Sequence, residues 1–141
     1  MSLSTPDLER FVAAQDAVYE AVRAELSAGR KASHWMWFVF PQLRGLGSSS
    51  TALRFGLESR DEAFAYWRHP VLGPRLKECC ELVLATPGRT AHEIFGSPDD
   101  LKFRSCMTLF SVVAPDEPVF RRALARFFDA GPDPRTLALL A

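Results

Sequence analysis

The chain has 141 residues, 48% of them hydrophobic and 24% charged, a length and balance that suit one buried core and exclude an unfolded polar chain. Lys plus Arg and Asp plus Glu both number 17, so the basic excess of a nucleic-acid binder is absent at whole-chain level. No run approaches the roughly 18 apolar residues of a bilayer span, and Met1–Asp7 has neither the basic start nor the apolar stretch of a secretion signal, so a cytoplasmic protein is expected.

Thr5-Pro6-Asp7 reads as a helix start, with a capping hydroxyl, Pro at the first helical position and an acid in the first turn. Leu8, Phe11, Val12, Gln15, Tyr19, Val22 and Leu26 then recur at three- and four-residue steps, which predicts one helix of about six turns. Gly29 ends it. Gln15, the single polar residue on the stripe, is either a buried amide holding the next segment or, the slightly favoured reading, a residue at the rim. Residues 35–40, Trp-Met-Trp-Phe-Val-Phe, are all large and apolar and must sit in the core or against a partner. Periodicity cannot separate helix from strand over six apolar residues. With no second strand to pair with, the reading is a short buried helix or an irregular core segment, stopped by Pro41.

A short helix is expected after Gly45-Leu-Gly47-Ser-Ser-Ser-Thr51. Ser59-Arg-Asp-Glu62 and Thr90-Ala-His-Glu93 are capping boxes that open two more. Leu76, Cys79, Cys80, Val83 and Leu84 mark an amphipathic helix between them. Ser97-Pro98-Asp99 repeats the cap-then-Pro start and carries Leu101, Phe103, Cys106, Leu109, Phe110 and Val113 to Pro115. A helix from Pro118 turns Phe120, Leu124, Phe127 and Phe128 inward, and a last short one runs from Thr136 to Leu140. The three cysteines form no Cys-x-x-Cys pair and are expected as reduced core residues. Together these elements predict an all-α, single compact multihelical domain over residues 1–141, with about six to eight helices around the aromatic segment.

Several landmarks are shared with a known family. Gly29-Arg-Lys, Ser33-His-Trp-Met-Trp-Phe, Phe40-Pro-Gln42, Gly45-Leu-Gly47 and Ser49 form its signature, and His69-Pro-Val-Leu-Gly73, Ile94-Phe-Gly96, Pro98-Asp-Asp100 and Met107-Thr-Leu-Phe110 its second half. On these residues the chain resembles the family catalogued as domain of unknown function 1810 over nearly its whole length. Cys106 departs from it, standing where the family usually carries a second Ser. The resemblance implies an all-α soluble fold and supplies no activity. Some members bear the label calpastatin, which belongs to disordered inhibitors, whereas this composition is that of a folded core.

Three constellations offer chemistry. Lys31, Ser33, His34, Trp35 and Gln42 combine an anion-holding amine, an imidazole that titrates near neutrality, hydrogen-bonding groups and an aromatic wall. The plainer alternative has His34 and Gln42 satisfying buried backbone around a core turn. Gly45, Gly47 and Ser49 precede a helix and offer amides and hydroxyls to an anion, or simply make a turn and a Ser cap. Asp100, Lys102 and Ser105 either face His34 across a pocket, giving a carboxylate–imidazole acid–base pair, or leave Asp99 and Asp100 to complement a helix dipole. No His-x-x-x-His or Cys/His cluster suggests a metal, and no cofactor is expected. The expected function is binding of a small anionic or nucleotide-like molecule around His34. The alternatives are a hydrolase or transferase using His34 and Asp100, and a protein-interaction module in which the Trp-rich stretch is only core.

Overall fold

A computed structural model describes residues 7–141, so the Thr5-Pro6 helix start lies outside the described residues. Ten helices follow in order: α1 (Glu9–Asp16), α2 (Tyr19–Ser27), α3 (Met36–Val39), α4 (Ser50–Phe55), α5 (Arg60–Arg68), α6 (Leu72–Ala85), α7 (Ala91–Phe95), α8 (Asp99–Val113), α9 (Pro118–Phe128) and α10 (Pro134–Leu140). The fold is all-α. Among the described residues the β content is one isolated parallel bridge, Leu43 to Leu57.

The centre is α8. Residues 105–110 are all buried, so protein covers every side of this helix, against the one-sided burial of a surface helix. It packs on α9, α5, α7 and α10, and α6 closes the layer against α9, α5 and α2. Phe103 of α8 stacks on Phe95 at 4.7 Å between ring centroids and meets Phe40 edge-on at 5.0 Å. The aromatic segment therefore enters the core through Trp35, Met36, Val39 and Phe40, all buried. Its one-turn helix α3 agrees with the expected short helical core segment.

The helix count exceeds the expected six to eight, partly because the first predicted helix is two. The chain turns at Ala17–Val18, where Val18 takes φ −133° and its N–H bonds back to Gln15 O at 3.0 Å. The apolar spacing continues across the break, which is why sequence alone joined the halves. The turn lets α1 pack on α3 while α2 packs on α6, two directions that one straight helix cannot serve. Gly29 ends α2 as expected: its φ of +76° suits glycine, and an added Cβ would stand 2.9 Å from Thr86 Cγ2.

The capping readings divide. Thr90 and Glu93 form the full reciprocal box. Ser59 caps Glu62 N at 3.1 Å, but the Glu62 carboxylate accepts from Glu58 N at 2.8 Å, one residue further back than a box requires. Ser97 caps nothing; the Ser97–Pro98 bond is cis and α8 starts at Asp99 without a side-chain cap. Cys79, Cys80 and Cys106 are free and buried, and burial pushes the Cys79 thiol up to about 12 and the other two well above their ordinary value.

Gln15 is buried, not at the rim. Its amide nitrogen donates to Phe38 O at 2.7 Å and to Tyr66 Oη at 3.0 Å, tying α1 to the aromatic segment and α5. Replacing Gln15 with Leu removes both bonds and leaves the Tyr66 hydroxyl and Phe38 carbonyl only their long 3.5 Å contact with each other, which costs about 1–3 kcal/mol. Urea unfolding of Gln15→Leu should show that loss, and an unchanged midpoint would refute the structural role given to the amide.

Candidate functional site

The polar frame of the aromatic segment is built by a carboxylate that periodicity places on the outer side of a helix. Glu25, near the end of α2, accepts from Ala32 N at 2.7 Å, Ser33 N at 3.0 Å, Ser33 Oγ at 2.5 Å and Trp35 Nε1 at 2.9 Å. Burial alone would raise its pKa, but these donors outweigh it and hold the carboxyl at about 2, against an ordinary 4.5. Just upstream, Lys31 N donates to Ile94 O at 2.7 Å and fixes the strap to α7. The strap thus turns Trp35 inward and leaves His34 exposed.

The Lys31 side chain, 9% exposed, reaches Asp99 Oδ2 at 2.8 Å, and Lys102 one turn along α8 meets Asp99 Oδ1 at 3.0 Å. Burial works against the Asp99 charge, and the two ammonium groups overcome it, holding the carboxyl below its usual range. Lys31 Nζ stands 5.2 Å from the Trp35 ring centre and Lys102 Nζ 4.1 Å from that of Trp37. Each lysine is therefore placed by a carboxylate at its tip and an aromatic face beside it.

Two cavities flank this arrangement. The first, about 380 Å³, is lined by Lys31, His34, Trp35, Trp37, Thr51, Asp99 and Lys102, among others. The second, about 400 Å³, is lined by Trp37, Gln42, Leu46, Pro98, Leu101, Lys102, Arg104, Ser105, Asp133 and Arg135. Trp37 and Lys102 belong to both, so the two cavities adjoin at that pair and together are called the groove. Its walls carry four cations, Lys31, Lys102, Arg104 and Arg135, against two carboxylates, Asp99 and Asp133. That is a local excess of two positive charges in a chain whose net charge is zero.

Of the residues expected at a site, Lys31, His34, Trp35 and Lys102 line the first cavity, and Gln42, Lys102 and Ser105 the second. Ser33 lines neither; its hydroxyl and amide are spent on Glu25. Asp100 lies outside both linings. Its Oδ2 is 3.5 Å from His92 Nδ1 and its Oδ1 accepts from Leu101 N at 2.9 Å, so the carboxylate that shares a cavity with His34 is its neighbour Asp99. The expected pairing of His34 with Asp100 is not what the structure forms. Ser49 caps the six-residue α4 by accepting from Ala52 N at 3.1 Å, the plainer of the two readings of that loop. Gly47 admits Trp37, whose Cη2 would be 3.3 Å from an added Cβ, and Gly45 lies against Leu139. Neither Gly45, Gly47 nor Ser49 lines the groove.

Glu25, Asp99, Asp133 and Arg135 were not singled out by sequence as site residues, whereas Trp37, beside Trp35, was expected as a ring on which a planar ligand could stack. The closest signal was the mixed Lys-Ala-Ser-His frame, whose donors need an acceptor supplied from elsewhere in the chain. Among the described residues no group of three or more His, Cys, Asp or Glu is placed to hold a metal ion, and no helix is long and apolar enough to cross a membrane.

The family described as "Protein of unknown function (DUF1810)" matches residues 5–140. No curated protein matches the chain. The crystal structure of the conserved hypothetical protein Rv1873 from Mycobacterium tuberculosis, at 1.38 Å, is similar to it at 57% identity and a TM-score of 0.94, covering 95% of this chain and 96% of that one.

Because the folded pKa of Glu25 lies below its unfolded one, its contribution to stability is whole above about pH 4.5 and is lost as the pH falls toward 2. Glu25→Gln should melt several degrees below wild type at pH 7, and the gap should close through that window. Melting curves at a series of pH values test this; a gap that stays constant with pH would remove the carboxylate's charge from the account.

Proposed function

The chain belongs to the DUF1810 family, whose function is unknown, and from its own groove we propose that it binds a small anionic or nucleotide-like molecule there. The observation that carries this reading is the charge of the groove: four cations against two carboxylates, concentrated in a concave, aromatic-walled space within a neutral chain. Concave walls focus such a field and favour an anion. A groove of two cavities near 400 Å³ each is of the size that small molecules occupy.

The roles follow from placement. Lys102, at the divide, supplies charge to either cavity, and Asp99 keeps it and Lys31 at fixed positions. Trp35 is 1% exposed with its indole N–H bonded to Glu25, so the ring left for a ligand is that of half-buried Trp37, on the side that Lys102 does not cover. His34 stands exposed on the first cavity, where its ring nitrogens can hydrogen-bond a ligand.

A thermal-shift series against inorganic phosphate, ribose 5-phosphate and nucleoside monophosphates tests the reading. A compound at about a hundred times its dissociation constant stabilises by roughly 2.7 kcal/mol. Lys102→Met keeps the apolar stem over Trp37 and removes the charge, so the shift should shrink markedly, and added salt should weaken it in wild type. His34→Ala should weaken binding while leaving the unliganded melting temperature unchanged, since His34 is exposed. Absence of a shift with every anion would refute the proposal.

A further inference from the structure

Gln42 lines the second cavity and is 7% exposed. Its backbone is held: Gln42 O accepts from Leu57 N at 3.0 Å, beside the Leu43–Leu57 bridge. Its side-chain amide has no hydrogen-bond partner among the described residues. Yet among these residues no fully buried side-chain nitrogen or oxygen lacks a partner, so the small surface Gln42 keeps includes its amide atoms, open to the cavity. A mostly buried amide without a partner costs free energy unless something outside the protein completes it.

The other part-buried polar groups of the cavity are already occupied, and Arg135, without a partner among the described residues, is exposed. Ser105 Oγ is within 3.0 Å of Asp133 Oδ2 and 3.1 Å of Leu101 O. Asp133 also accepts from Thr136 N and Oγ1, and Arg104 donates to the carbonyls of Gly131 and Pro132. Lys102 is on Asp99. Gln42 is the buried exception, and it shares its cavity with the half-buried face of Trp37.

We infer that the second cavity is a ring-reading subsite, in which a planar heterocycle stacks on Trp37 and presents an adjacent hydrogen-bond donor and acceptor to the Gln42 amide. This rests on the anion-binding reading above and narrows it to a nucleobase-bearing phosphate, the phosphate lying toward Lys102. The side-chain carbonyl and NH2 of Gln match such an edge bidentately. The same unpaired amide makes the subsite selective, because a ligand without the edge leaves it unsatisfied.

The experiment is calorimetric titration of wild type and Gln42→Leu with AMP, GMP, CMP, UMP and ribose 5-phosphate. At least one nucleotide should bind wild type on the order of tenfold or more tighter than ribose 5-phosphate. Gln42→Leu should reduce that nucleotide to the level of ribose 5-phosphate, leave the sugar phosphate unchanged, and melt no lower than wild type, since no hydrogen bond within the protein is lost. Gln42→Glu, which keeps the shape and loses the donor, should weaken the same nucleotide even if the Leu variant folds poorly. Equal binding of nucleotides and ribose 5-phosphate by wild type, or undiminished nucleotide binding in both variants, overturns the subsite and leaves anion binding standing. No binding of any phosphate by wild type overturns both.

Discussion

Everything distinctive about this molecule depends on one carboxylate receiving four donors. Glu25 gathers the amides of Ala32 and Ser33, the Ser33 hydroxyl and the Trp35 indole, and so fixes the strap between α2 and the aromatic segment. The strap has little choice afterwards. Trp35 must go inward because its N–H is bonded to Glu25 and its ring packs near Phe40, 6.1 Å between centroids. Lys31 must lie along α7 and α8 because its amide is tied to Ile94 O, and its side chain then meets Asp99. A charged acceptor with several oriented donors is stronger than its neutral counterpart and more demanding of geometry. One anion therefore determines the entry angle of the segment on which the core is assembled.

The groove inherits its charge from the same chain of placements. Two lysines side by side would repel, and Asp99 between them removes most of that cost while leaving one positive charge in excess. Asp99 also stands in the first turn of α8, where a negative charge complements the helix dipole, so one side chain serves the helix and the site together. The aromatic faces do the complementary part. Lys102 lies 4.1 Å from the Trp37 ring centre, which gives its stem an apolar surface to cover and its ammonium a favourable quadrupole. Both lysines are held before any ligand arrives, so binding spends little on ordering them.

How far this was legible can be followed residue by residue. Helices with their own caps and stops, such as Thr90–Glu93 and the Gly29 terminus of α2, are local and can be read from the chain. The break at Ala17–Val18 is not local: the apolar spacing is satisfied on both sides of it, and only the separate destinations of α1 and α2 require it. Gln15 shows the same limit, since an amide at a stripe's edge and an amide bridging Phe38 O and Tyr66 Oη have the same spacing. At the site, Lys31, His34, Gln42 and Lys102 were marked by their chemistry beside the tryptophans. Glu25 was missed because a carboxylate on the outer face of an amphipathic helix looks like every other solvated one. Asp99 and Asp100 differ by one residue, a rotation of about 100° around the helix, and that rotation decides which of them faces the lysines and which meets His92.

The contrast between the two imidazole settings separates binding from acid–base chemistry. A general base needs its second ring nitrogen held by an acceptor that sets tautomer and direction. The imidazole with a carboxylate at hand is His92, 3.5 Å from Asp100, and its side chain is 68% exposed and lines neither cavity. His34 has the groove and no hydrogen-bonded acceptor among the described residues; the carboxylate nearest in function, Asp99, is taken up by two lysines. Binding makes smaller demands. It needs charge of one sign, a flat apolar face and a polar group left open, and these are what Lys31 with Lys102, Trp37 and Gln42 provide. These features are the support for the proposed anion binding, and a catalytic role for His34 would require the ligand itself to supply the group that orients the ring.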